Sequence, residues 1–100
     1  MENADLSGHT ILIVEAEISL FSDTLQRTID AAGAQSVVIR KPERLGVGRM
    51  RRLKFTAAVI NSEHAPAVGD PGIPLLVYGT PELPKRPRVI VEALAQLLKG

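Results

Sequence analysis

Apolar positions along this chain fall into short unbroken runs that alternate with wider stripes. Thr10–Val14 is nearly continuous in apolar residues, the pattern of a strand covered on both faces. Ile18, Phe21, Leu25, Ile29 and Ala32 then recur every three or four residues, which places them on one stripe of a helix, and Gly33 supplies its stop. Residues 36–39 read as a second strand. Residues 42–55 read as a weaker helix, broken near its start by Gly46 and Gly48. Residues 57–60 form a third apolar run, and residues 61–73, with Pro66, Gly69, Pro71 and Gly72 and no apolar period, read as a loop. Leu75–Tyr78 is a fourth strand. Pro87–Lys99 carries Ile90, Val91, Leu94, Leu97 and Leu98 on one helical face, with Pro87 suited to the first turn. Val89 to Val91 fit a fifth strand as well, and spacing leaves the two readings open. Residues 1–9 are polar and acidic, so they read as a flexible N-terminal lead to a domain over residues 10–100.

Strands separated by helical stretches argue for a parallel sheet, because parallel neighbours need crossover connections. In open sheets of this kind the working site lies beyond the carboxyl ends of the strands. Glu15, Ala16, Asn61 and Gly79 all stand at such ends, so they are expected to meet.

With 100 residues the chain has room for one modest core. Two Phe, one Tyr and no Trp make that core aliphatic. The lack of cysteine excludes disulfides, thiolate metal sites and thiol nucleophiles, and it fits a cytoplasmic location. No apolar run approaches the ~18 residues of a membrane span. His9 and His64 are far apart in sequence and have no ordered acidic or Cys companion, which favours exposed roles over metal binding.

Four blocks of the sequence together resemble the receiver domains of bacterial response regulators. Ile11-Leu12-Ile13-Val14-Glu15-Ala16-Glu17 is similar to their first strand with its pair of acids, and Ala57-Ala58-Val59-Ile60-Asn61 to the third strand that ends in the phosphorylated Asp. Gly72-Ile73-Pro74-Leu75-Leu76-Val77-Tyr78-Gly79 resembles the fourth strand, where the Pro precedes a Thr or Ser by five positions. Arg86-Pro87 resembles the Lys-Pro step before the last helix. The resemblance covers roughly residues 10–99 and implies an α/β, flavodoxin-like fold of three layers. Its parallel sheet would have four to five strands in the order 2-1-3-4-5.

Departures from the family pattern fall on its chemistry. A receiver needs an attacking carboxylate, a Mg²⁺ ion held by acids, and a hydroxyl with a Lys around the phosphoryl group. Here Asn61 replaces the acceptor, Ala16 replaces one metal-binding acid and leaves Glu15, Gly79 replaces the hydroxyl with Thr80 one residue late, and Arg86 replaces the Lys. One Glu and one amide make a poor Mg²⁺ site, so no cofactor is expected. The intervals between Asn61 and Pro74 and between Gly79 and Arg86 are also short, which implies reduced third and fourth helices. These features imply a pseudo-receiver: a non-phosphorylated, non-enzymatic domain of bacterial signal transduction acting by protein–protein contact. The expected partner is a protein, such as a signalling kinase or regulator, or a second copy in a homodimer.

Glu15 and Glu17 also suit the first turn of a helix, where the dipole favours acids, and Asn61 suits a cap for the turn after it. Arg40, Lys41, Arg44, Arg49, Arg51, Arg52 and Lys54 face a single acid, Glu43, within one short segment. Such a cluster attracts anionic partners, and a small nucleic-acid-associated regulator is the alternative reading. No aromatic residue is interleaved for base stacking, which makes it the lesser one.

Overall fold

The two most deeply buried runs form the centre of the sheet. They are β1 (Thr10–Val14) and β3 (Ala57–Asn61), and β2 (Gln35–Ile39) and β4 (Leu75–Tyr78) flank them in the order β2-β1-β3-β4, all parallel. The remaining elements are α1 (Leu20–Ala31), α2 (Ala65–Val68) and α3 (Pro87–Lys99). This computed structural model describes residues 5–17, 19–41, 54–68 and 72–99.

Alternation along the central strands divides the core in two. Ile11, Ile13, Ala57 and Val59 point to the face covered by Leu25 and Ile29 of α1 and by Ile90, Val91 and Leu94 of α3. Leu12, Val14, Ala58 and Ile60 point to the opposite face, beside Phe55, Ala65, Ile73, Leu75 and Val77. Burial on both sides explains why these strands are continuously apolar rather than alternating. The architecture is a small α/β, flavodoxin-like sheet of four strands with reduced helices, as the receiver resemblance implies.

Local signals set the helix ends. Ser19 caps α1: its hydroxyl accepts from Ser22 N (3.2 Å), and Ser19 N donates back to Ser22 Oγ (3.3 Å). At the other end Gly33 adopts φ 101°, a left-handed geometry that suits glycine. Glu17 lies before this cap, so it is not the first-turn acid expected from sequence; Asp23 is.

One further sequence expectation changes, one open alternative is decided, and one lies almost wholly outside the described residues. The stretch 61–73 is not wholly loop: Asn61 extends β3, and residues 65–68 form α2, where Pro66 stands in the first turn that a proline tolerates. Residues 89–91 belong to α3 and not to a fifth strand. The weaker helix expected over 42–55 lies outside the described residues except for Lys54, at φ 61°, and Phe55, neither of them helical. Ile18 of the predicted helical stripe also lies outside them.

The expected flexible lead is, from Asp5 onward, part of the packed domain. Leu6 is fully buried in the core shared by α1 and α3, and its N–H donates to Ala32 O at 2.8 Å. A Cβ at Gly33 would come within 2.6 Å of Ser7 Oγ, so the glycine that ends α1 also admits the lead. A solitary Leu among polar neighbours carries no periodicity, which is why the sequence pattern passes over it. Leu6→Ala should lower unfolding free energy by about 3 kcal/mol in a denaturant titration, the cost of truncating a buried leucine. A loss below about 0.5 kcal/mol, typical of a surface change, would show that the lead is not docked.

Candidate functional site

The alternation that builds the core also builds the site. Glu15 continues the Ile11–Ile13 side of β1, Asn61 continues the Ala57–Val59 side of β3, and Tyr78 shares a side of β4 with Leu76. In register, Asn61 lies beside Tyr78 and Val14 beside Ile60. Three polar tips therefore converge at the carboxyl end of the sheet, on the face of α1 and α3.

Their geometry is a closed network around one carboxylate. Glu15 is 3% exposed. Its Oε2 accepts from the Tyr78 hydroxyl at 2.6 Å and from Asn61 Nδ2 at 3.0 Å. Its Oε1 accepts from Glu17 N at 3.4 Å and lies 3.3 Å from His64 Nε2. The same ring nitrogen is 3.4 Å from Ala16 N, so it serves one neighbour at a time: it donates to Glu15 when it bears the proton and accepts from Ala16 when it does not. Asn61 Oδ1 accepts from Glu63 N at 3.0 Å, which makes the amide a turn cap and a carboxylate donor at once. Among the described residues no buried side-chain polar atom lacks a partner.

Electrostatics follow from this inventory. Burial pushes the Glu15 carboxyl up, but donation from Tyr78, Asn61, Glu17 N and His64 outweighs it and holds the group below the usual carboxylate range. Burial, and then the adjacent Glu15 carboxylate, push the Tyr78 phenol up, with Arg40 opposing weakly. At neutral pH the pair is therefore a carboxylate and a neutral phenol. Phe21 braces the tyrosine, its ring 5.3 Å from that of Tyr78 and tilted by 49°.

The expected convergence of Glu15 and Asn61 is present, while the other expected positions divide. Ala16 is exposed and contributes its backbone N–H. Gly79 adopts φ 87°, and a Cβ there would meet Ser62 Oγ at 3.2 Å and Asn61 Oδ1 at 3.6 Å, so a hydroxyl-bearing side chain would be strained and crowded. Thr80 Oγ1 turns away to accept from Leu83 N at 3.1 Å. Arg86 is exposed and its carbonyl accepts from Ile90 N at the start of α3. Lys85 instead covers this corner, its Nζ 5.8 Å from the centroid of the Phe21 ring.

Two members of the network were not identified from sequence. Tyr78 was legible in principle, as the polar-tipped residue of β4 on the same alternation as Leu76. His64, for which the sequence favours an exposed role, is carried to Glu15 by the turn after Asn61, closed by His64 N on Asn61 O at 2.9 Å. No spacing rule signals a contact made 49 residues apart.

The basic segment also divides. Arg40 Nη1 donates to Glu17 O at 2.6 Å, with Glu15 O and Ser22 Oγ at 3.3 Å, so this residue ties the β1–α1 loop and is not a free patch member. Lys41 and Lys54 are exposed. Arg44, Arg49, Arg51 and Arg52 lie outside the described residues.

Both Glu15 oxygens are engaged, Asn61 Oδ1 is engaged, and Ala16 has no ligand to offer, whereas Mg²⁺ demands several oxygens in a near-octahedral shell. No group of three or more potential His, Cys, Asp or Glu metal ligands occurs among the described residues. No helix among them is long and apolar enough to cross a membrane. No family model, curated protein or solved structure matches this chain.

Because the folded Glu15 titrates below its unfolded counterpart, it stabilises the fold above the ordinary Glu value of about 4.3 and loses that contribution as pH falls through its folded value. Tyr78→Phe keeps the ring and removes a donor. Glu15 should then titrate at a higher pH than in the wild type, read from its side-chain carboxyl carbon by NMR, and acid unfolding should begin at higher pH. An unchanged midpoint contradicts the role given to the hydroxyl.

Proposed function

We propose that this chain is a receiver-like binding domain of bacterial signalling that acts by contact with a protein partner and has no aspartyl phosphate cycle. The observation that carries this reading is the closed network on Glu15. Phosphoryl transfer to a side chain needs a nucleophilic carboxylate at position 61 and a cation to offset charge on the phosphoryl oxygens. Asn61 supplies a neutral amide whose nitrogen is committed to Glu15 and whose oxygen is committed to Glu63 N. The place a cation would take against Glu15 is met by three protein donors: a phenol, an amide and a ring nitrogen.

The same inventory argues against an enzyme at this site. Glu15 is held as a fully bonded anion, a poor general base, and the four-block resemblance contributes a binding fold rather than a second catalytic group. A fixed, pre-satisfied pocket suits a domain whose surface is recognised in one constant state.

Incubation with acetyl phosphate and Mg²⁺ should leave the protein unmodified, and stoichiometric acid-stable, base-labile phosphate would overturn the proposal. Asn61→Asp brings a second carboxylate to the place where the amide nitrogen lies 3.0 Å from Glu15. That should cost about 3 kcal/mol of stability at neutral pH, with part regained in acid as the pair shares a proton. Ala16 and Gly79 remain unsuited to the chemistry, so the variant should also stay unphosphorylated. An Asn61→Asp protein of wild-type stability that takes up phosphate would show an intact acceptor site.

A further inference from the structure

We infer that the chain pairs with a second copy of itself through the free edge of β4, antiparallel, about a two-fold axis at Leu76. This assignment is independent of how the Glu15 network functions.

The sheet ends one strand early. Its order is β2-β1-β3-β4, and residues 79–86 lead straight into α3, so no fifth strand covers β4 among the described residues. Backbone directions on β4 follow from its bonds. Ala58 N donates to Pro74 O at 3.0 Å and Ser62 N to Tyr78 O at 2.8 Å, which turns residues 74, 76 and 78 toward β3. By alternation Leu75 and Val77 direct both N–H and C=O away from the sheet. Gly79 N, the next outward donor, is already taken by Leu83 O at 2.8 Å, and this closes the edge at its carboxyl end.

The open groups are thus two donors and two acceptors, arranged symmetrically about Leu76. An antiparallel copy of β4 placed with Leu76 opposite its own equivalent sets Leu75 against the partner strand's Val77 and satisfies all four. A two-fold axis at Leu75 would leave Val77 facing residue 73, and one at Val77 would need the engaged Gly79 N. The register about Leu76 is the one that keeps both pairs within β4 and leaves the Gly79 N bond intact.

Side chains agree with a copy rather than a charged partner. Residues 72–79 carry no charge. Leu75, Leu76 and Val77 are each half-buried and present apolar area on both faces of the edge, so every cross-strand pair is aliphatic. At the other edge of the sheet, β2 is followed by the exposed, charged Lys41.

The chain has no native cysteine, so single-cysteine variants test the register directly. Opposed residues of a non-hydrogen-bonded antiparallel pair have Cα atoms about 4.5 Å apart, within disulfide reach. The wild type should pass from monomer to dimer mass with concentration in sedimentation. Leu76→Cys should form a disulfide-linked dimer under mild oxidation, whereas Leu75→Cys, displaced from its own equivalent by two residues, should not. Val77→Pro removes an outward N–H without touching a bond to β3, and should shift the protein to monomer. A monomer at every concentration, a dimer in which Leu76→Cys fails to cross-link, equal cross-linking of both cysteine variants, or a Val77→Pro dimer as strong as the wild type would each overturn the assignment.

Discussion

A carboxylate that is 3% exposed must either take up a proton or be met by donors on its oxygens, and at Glu15 the donors win. This requirement ties together the carboxyl end of the sheet. Tyr78 brings β4 to it, Asn61 brings β3, and His64 brings the turn after β3. Arg40, from the end of β2, fixes the backbone of the loop that carries Glu15. Every strand thus contributes a group, although the network itself is only a few side chains wide.

The cost of this closure is chemical openness. A cation at Glu15 would have to displace the amide, phenol or ring nitrogen that meets the carboxylate within the chain. The left-handed backbone of Gly79 and the turn of the Thr80 hydroxyl away from the site, toward Leu83 N, act in the same direction. These are matched features, since a side chain at position 79 would be strained at φ 87° and its Cβ would crowd the Ser62 hydroxyl.

Much of the fold was legible because its signals are periodic. The two-sided apolar runs of β1 and β3, the stripe of α1 and the face of α3 each follow from burial, parallel pairing follows from crossover connections, and the strand order is what the receiver resemblance implies. Features without a period were missed. Leu6 is one buried side chain in a polar segment, and α2 is a single turn containing Pro66. At the site, Glu15 and Asn61 were found because strand ends are places where chemistry collects. Tyr78 was passed over because an aromatic in an apolar strand reads as core. His64 required the path of a turn, and Arg40 was counted as surface charge because its three oxygen neighbours are distant in sequence.

The central claim is that Glu15 is saturated by this chain's own donors. Titrating the protein with Mg²⁺ into the millimolar range, while following the amide resonances of Glu15, Ala16, Asn61 and Ser62, tests it most directly. Internal saturation predicts small, linear, non-saturating shifts no larger than those at distant sites such as Glu92. A saturable shift centred on Glu15 and Asn61 would mean that the network opens to admit the ion, and would contradict the account.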